Sequence, residues 1–226
     1  TLIAVGAHVG KRLRIPNADH PDTWTAVQFL RDVRLGNAPI FQDRHVLVLG
    51  GGDVAYDCAR TAVRLGAKQV DVSCLEARDT MPASELEIME GSEEGISLFP
   101  GRSFTRILTD DGKITGVEAV NVSYMKFEDD GSLTLETVPE SEHILPGDIV
   151  IFATGQGVGL TFIPEGSDVG KTPKRTVAID PDTFATGKEG VFAAGDATGI
   201  AYVIDAIGNG HKAAKSMIKF LQGEPL

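Results

Sequence analysis

Five residues, His45-Val46-Leu47-Val48-Leu49, form an almost unbroken aliphatic run that stops at Gly50-Gly51-Gly52. Such a run, bounded by glycine, reads as a strand buried on both faces. The period then changes. Val54, Ala55, Cys58, Ala59, Ala62, Val63 and Leu65 recur at three and four, which predicts a helix closed by Gly66. Residues 69–75 return to strand character and end at Glu76. Together they make a β-α-β unit of about 30 residues, the minimum length for that motif. A chain that crosses from strand to helix on three glycines commits this region to a parallel α/β sheet.

The turn carries chemistry. Gly50-x-Gly52-x-x-Ala55 between a buried strand and a helix is the context of a dinucleotide fingerprint. Gly50 permits the tight turn, Gly52 lets a pyrophosphate approach the backbone, and Ala55 lets the helix lie close to the strands. The first-turn N–H groups, of Asp53 and Val54 among them, then face phosphate oxygens. The alternative is a plain strand-to-helix turn. Glu76 lies 24 residues beyond Gly52, where a carboxylate accepts from both ribose hydroxyls of an adenosine. The same charge repels a 2′-phosphate, which favours NAD over NADP. Arg78 is the counterweight, since it can cover an adenine face or pair with that phosphate. For both residues the bland alternative is a solvated charged loop.

Around this unit the pattern is mixed. Asp22 or Thr23 is expected to cap a short helix through Trp24, Val27, Phe29 and Leu30. Ser84, three residues before Glu87, has capping-box spacing and predicts a helix to Glu94. Short strands are expected at Ile96–Phe99, Phe104–Leu108, Ile114–Val122, Met125–Phe127 and Leu133–Val138. Asp110-Asp111-Gly112 and Asp129-Asp130-Gly131 are hairpin signals, so the stretch reads as an antiparallel meander. Residues 149–153 form a second buried run, ending at Thr154-Gly155. Residues 156–185 read as loops with at most a short strand near Val177–Ile179. Val191–Ala194 is a last short strand, and a closing helix covers Tyr202 to Leu221 despite Gly208 and Gly210.

Gly195-Asp196 follows that last strand and precedes the closing helix. A carboxylate so placed can accept from a ribityl hydroxyl; alternatively Asp196 is an N-cap. The two cysteines, Cys58 and Cys74, fall on the apolar face of a helix and inside a strand. They read as small core residues, not a dithiol centre. The five histidines, at 8, 20, 45, 143 and 211, show no metal-ligand spacing. His8 is close enough to Gly6 to approach a cofactor, with a surface role as the alternative.

Composition narrows the classes further. The formal charge is −11, with an isoelectric point near 4.9. Such a chain has little positive charge to offer nucleic acid or anionic lipid. It is 42% hydrophobic, enough for a sizeable core. No apolar run reaches the roughly 18 residues of a membrane span. A cytoplasmic protein is the expectation.

Val46-Leu47-Val48-Leu49-Gly50-Gly51-Gly52-Asp53-Val54-Ala55-Tyr56-Asp57-Cys58-Ala59-Arg60, with Leu65-Gly66-Ala67, resembles the NAD(P)-binding segment of glutamate synthase small-subunit-like flavoproteins. Met81-Pro82-Ala83, Glu94-Gly95-Ile96, Ile3-Ala4-Val5-Gly6-Ala7-His8, Phe29-Leu30, Gly190–Ala197 and Asp205–Gly210 fit the same family, so the likeness runs over nearly the whole chain. It implies an NAD(P) domain inserted in an FAD domain, with crossings at Ala4-Val5-Gly6 and Ala153-Thr154-Gly155. The fold class expected is α/β: a Rossmann-like three-layer NAD(P)-binding domain with an antiparallel meander over 16–156, plus an incomplete FAD-binding domain from 1–15 and 157–226. By resemblance Gly195 and Asp196 contact the flavin ribityl or pyrophosphate, and Thr198, Tyr202 and Val203 lie near the isoalloxazine.

The family's N-terminal FAD fingerprint and clustered cysteines do not occur in these 226 residues, and the chain starts inside an apolar run. The expectation is a C-terminal piece of a longer protein, inactive by itself, with exposed apolar surface that favours a homo-oligomer. Glutamate synthase small subunits use NADPH and commonly carry paired arginines after the second strand. Leu75-Glu76-Ala77-Arg78 departs from that pattern and resembles relatives that take electrons from NADH. The function implied is hydride transfer from NAD(P)H to FAD, with electrons passed to an iron-sulfur electron-transfer protein or larger oxidoreductase subunit. The alternative is a non-catalytic dinucleotide-binding or sensing domain.

Overall fold

The computed structural model describes residues 1–128, 132–199 and 201–226. The chain forms two compact units, one from 10–155 and one from 1–9 with 156–226.

The 10–155 unit is built on a five-stranded parallel sheet. Its spatial order is Thr23–Thr25, Ile149–Phe152, His45–Leu49, Gln69–Ser73 and Ser97–Phe99. The continuous apolar runs have the expected cause: both faces are covered. Val46, Val48, Val70, Val72, Ile149 and Ile151 pack on the helix side, while Leu47, Leu49, Val150 and Phe152 face the meander. On the helix side lie Ala26–Arg34, Asp53–Arg64 and Glu85–Glu93. The middle helix presents Ala55, Cys58, Ala59 and Ala62, all buried, so its axis can approach the sheet closely. On the other side lies the antiparallel meander of Arg102–Asp110, Lys113–Phe127, Leu133–Thr137 and His143–Pro146. The Rossmann-like α/β expectation therefore matches.

Chain order reverses in the middle of this sheet. From His45–Leu49 the chain steps to Gln69–Ser73 and then to Ser97–Phe99. It returns through the meander to Ile149–Phe152, on the other side of His45–Leu49. The C-terminal ends of the two strands flanking the reversal, Leu49-Gly50 and Phe152-Ala153, thus lie side by side. In open α/β sheets that crevice is where ligands bind.

Three local expectations are corrected. Trp24 does not enter the first helix. Thr23–Thr25 is the edge strand beside Ile149–Phe152, and Thr25 is the cap, its Oγ1 accepting from the Gln28 N–H. Ser97–Phe99 joins the parallel sheet instead of opening the meander, because its partner is Gln69–Ser73 and its direction is the same. The two strands expected over 114–127 are one strand of 15 residues. Its first half pairs with Arg102–Asp110 and His143–Pro146, and its second half with Leu133–Thr137 after a bulge near Ser123. Near Val177, where at most a short strand is expected, an isolated bridge to Lys171 forms, in keeping with that reading.

The caps and turns mostly follow the expected residues. Ser84 Oγ accepts from the Glu87 N–H at 3.3 Å and starts the third helix. Asp111 and Gly112 both have positive φ, 50° and 72°, as a two-residue type I′ hairpin requires. The second hairpin signal, Asp129-Asp130-Gly131, lies outside the described residues.

The other unit pairs Leu2–Ile3 in parallel with Phe192–Ala193. A 3-10 turn, Gly195–Ala197, follows, and then a 20-residue helix, Val203–Gln222, which runs through Gly208 and Gly210 and stops at Gly223 in the left-handed conformation. Ile3, Leu160, Ile163, Val169, Val177, Ala193 and Ala197 form its main core. Among the described residues no helix is long and apolar enough to cross a membrane.

Candidate dinucleotide site

The three glycines of the fingerprint turn differ in why they are glycine. Gly50 has φ +147°, and a Cβ built on it would lie 2.3 Å from the Ala153 carbonyl oxygen. The crevice between the two central strands is closed there by backbone against backbone. A Cβ on Gly51 would lie 2.8 Å from Glu76 Oε2 and 3.0 Å from Cys74 Cβ. Gly52 is another case. Its φ and ψ, −100° and 175°, are extended and open to any residue, and a Cβ there meets nothing within 4 Å. Nothing inside the chain requires glycine at 52. The space in front of it is free for something outside the chain.

Gly52 is also the N-cap of Asp53–Arg64, and it offers no side chain to the first-turn N–H groups. Those groups, with the positive end of the helix dipole, suit a phosphate. Asp53 itself is partly engaged: its Oδ1 accepts the Ser84 N–H at 2.7 Å, while the Ala83 N–H donates to Gly51 O at 2.9 Å. The segment Met81–Ser84 is thereby tied down onto the turn. Sequence reasoning quoted Met81-Pro82-Ala83 only as a likeness and missed this bracing role, for which a Pro-Ala-Ser cap after a charged loop is the available signal.

The strand expected over 69–75 ends at Ser73, so Glu76 and Arg78 lie in the loop that follows it, with the Glu76 carboxylate beside Gly51. Glu76 is half-buried, and its carboxylate has no cationic partner among the described residues, its hydrogen bond coming from the buried Cys74 thiol. Its main chain is held by the Gly101 N–H, which donates to Glu76 O at 2.8 Å. Arg78 is paired instead: its guanidinium donates to both oxygens of Glu85, at 2.9 and 2.7 Å, and holds that carboxyl below the usual range. Tyr56 lies below them, buried, with its phenol pushed up by burial and partly restored by the charge of Arg78. Tyr56 and Glu85 were not expected at the site.

The second crossing is used structurally. Ala153 N–H donates to Leu49 O, Thr154 Oγ1 donates to Lys11 O, and Gly155 O accepts from the Lys11 N–H. Ala153 thus meets Gly50, whereas Thr154 and Gly155 meet Lys11.

Both cysteines are buried. Burial pushes the Cys74 thiol up to about 12 and raises that of Cys58 further. Since the thiolate is the reactive form, neither should label with a thiol reagent in the native chain at pH 8, and both should label once it is denatured. A fast-reacting native thiol would contradict the packing around Gly51.

In the other unit a cavity of about 420 Å³ opens among Ala4, Gly6, Gly195, Asp196, Tyr202 and Val203. Asp196 Oδ1 accepts the Ala201 N–H at 3.3 Å, and Thr198 Oγ1 donates to Gly195 O. Asp196 is therefore a turn former within the 3-10 segment, not the cap of the long helix. Tyr202 and Val203 are 80% and 77% exposed, unusual for apolar side chains at a cavity rim. Ala206, Ile207 and Gly210 complete the lining; they belong to the Asp205–Gly210 segment that carries part of the family likeness, although the sequence gives them no site role. His8 is exposed, with its Nδ1 3.2 Å from Val5 O. No group of residues suited to hold a metal ion occurs among the described residues.

The sequence profile of the pyridine nucleotide-disulphide oxidoreductases matches residues 1–215. The chain belongs to that family. It is 35% identical over 224 residues to the NADP(+)-dependent formate dehydrogenase subunit beta of Moorella thermoacetica, covering 98% of this chain and 31% of that protein. It is 32% identical over 231 residues to the glutamate synthase (NADPH) small chain of Azospirillum brasilense, covering 96% of this chain and 47% of that one. The chain thus spans between about a third and a half of the length of these curated relatives. The thioredoxin reductase of Lactococcus lactis shares the fold, with a TM-score of 0.71 at 24% identity over 98% of this chain and 66% of that one. As a pyridine nucleotide-disulphide oxidoreductase chain it has two dinucleotide ligands implied by its family, FAD and NAD(P), and two places in the fold for them to be tested against. The fingerprint turn fits a pyrophosphate through the open space at Gly52. The cavity lined by Gly6, Gly195 and Asp196 fits part of a second cofactor through its small side chains and its carboxylate.

Proposed function

We propose that this chain is the part of an NAD(P)H oxidoreductase that docks the nicotinamide dinucleotide at Gly50–Ala55 and contacts FAD through Gly195, Asp196, Tyr202 and Val203, with electrons leaving to an iron-sulfur partner. The observation that carries the reading is Gly52, a glycine with no internal reason to be one, at the head of an uncapped helix. The unit 10–155 is the dinucleotide domain; residues 1–9 and 156–226 contribute to the flavin domain. When bound, the nicotinamide and flavin rings supply the hydride-transfer chemistry. The chain's own residues bind and orient: the N–H groups at the start of Asp53–Arg64 receive the diphosphate, Glu76 accepts from the adenosine ribose, and Ala83 and Ser84 hold the turn in shape.

The Glu76 carboxylate, which no cation neutralises among the described residues, supports NADH over NADPH. The relatives are named for NADP(H), and Arg78 is the residue here that suits a 2′-phosphate. Calorimetric titration of the chain with both dinucleotides separates the readings. NADH is expected to bind about tenfold tighter, equivalent to about 1.4 kcal/mol. A tighter NADPH complex would remove the role given to Glu76. In the complete protein, NADH-dependent reduction of an artificial acceptor is expected. If dinucleotide binds but no acceptor is reduced, the chain is a non-catalytic sensing domain.

A further inference from the structure

Three charged side chains, Glu76, Arg78 and Glu85, follow the strand next to the fingerprint turn in different states. Glu76 has no cationic partner among the described residues; its neighbour is the buried Cys74 thiol, which donates to its main-chain oxygen at 3.5 Å and also hydrogen-bonds its carboxylate. Arg78 is engaged through both terminal nitrogens, and Glu85 engages it through both oxygens. Neither partner is buried: Arg78 is 43% exposed and Glu85 80%. Glu85 is nonetheless well placed, because it is the first residue of Glu85–Glu93, and the cap of that helix, Ser84, is tied to Asp53 in the fingerprint helix. The turn that would hold a pyrophosphate therefore also positions the acid that covers Arg78.

A guanidinium fork is the side chain best shaped for a phosphate monoester, which it grips with two parallel N–H donors. Here that fork is already filled by a carboxylate of the same geometry. We infer that Glu85 is a specificity-determining residue, which disfavours a dinucleotide carrying a 2′-phosphate by occupying the Arg78 fork and adding a second negative charge beside Glu76. The inference rests on the docking reading above and adds a residue to it. A ligand with a free 2′-hydroxyl meets Glu76 and needs nothing from Arg78. A 2′-phosphate must displace Glu85 and then sit between two carboxylates. An exposed ion pair is weakly held, so the selection lies in the competition and the added charge, both of which salt screens.

The test is calorimetric titration of the wild-type chain, E85Q, R78Q and the double variant with NADH and with NADPH, at low and high salt. Glu85 is exposed and Gln is a comparable helix residue, so E85Q keeps the fold; circular dichroism checks this. E85Q should tighten NADPH binding by about tenfold while leaving NADH within about twofold, and the gain should vanish in the R78Q background, a coupling read by the double-mutant cycle. The gain should also shrink at high salt. The inference is overturned if E85Q shifts both ligands equally or neither, if the gain survives R78Q, or if the wild-type chain already prefers NADPH. Failure of the docking reading looks different. The wild-type chain would then bind neither dinucleotide, and the role of Glu85 would fall with it.

Discussion

Gly50→Ala is expected to destabilise the 10–155 unit by about 2–6 kcal/mol, combining steric overlap with backbone strain of roughly 1–3 kcal/mol each. The added methyl would lie 2.3 Å from Ala153 O and 2.8 Å from Ala153 C, both backbone atoms that cannot rotate away. Relief requires the strands His45–Leu49 and Ile149–Phe152 to separate where they are bonded, at Ala153 N–H to Leu49 O. Backbone strain adds to this, because φ +147° is a region that side chains rarely adopt. Urea denaturation followed by circular dichroism measures the loss. With total stabilities of about 5–15 kcal/mol for a domain, that loss is a large fraction of the whole and should shift the denaturation midpoint well below wild type. A midpoint equal to wild type would mean that the two strand ends do not meet as described.

Gly52→Val should do the opposite. It costs at most about 1 kcal/mol, the usual penalty for a poor N-cap, because its dihedrals are extended and its Cβ enters open space. It should nevertheless weaken NADH binding by at least about a hundredfold, since two methyl groups would occupy the approach to the first-turn N–H groups, and each factor of ten is about 1.4 kcal/mol. Calorimetry reads binding and urea denaturation reads stability on the same sample. The two glycines, two residues apart, would thus separate a folding requirement from a ligand requirement. Undiminished binding in the valine variant would move the dinucleotide away from this turn and return the chain to an α/β protein of no assigned ligand.

Much of the fold was readable because its signals are local. An apolar run stopped by glycine, followed by small residues at helical spacing, leaves one economical arrangement. The strand at 45–49, the helix after it and the strand from 69 all form where expected. The misreadings concern pairing between distant segments. Thr23–Thr25 is a three-residue edge strand too short for any period to show, and Ser97–Phe99, though legible as a strand, takes its sheet from the free edge of Gln69–Ser73. The single strand over Lys113–Phe127 looked like two because its partners change half-way along.

The site divides in the same way. Residue order alone determined the fingerprint turn, the acid and base after the second strand, and the Gly195-Asp196 turn, since each depends on neighbours a few positions away. Tertiary structure decided which of those groups are free. Glu76 lacks a cationic partner among the described residues, and Arg78 is covered by Glu85, seven residues on at the start of a helix. Asp53 is claimed by the backbone of Ser84, and Gly50 rather than Gly52 is demanded by the packing of a strand a hundred residues later. Hydrogen bonds and steric contacts between distant segments depend on where the sheet brings them, and no spacing along the chain encodes that.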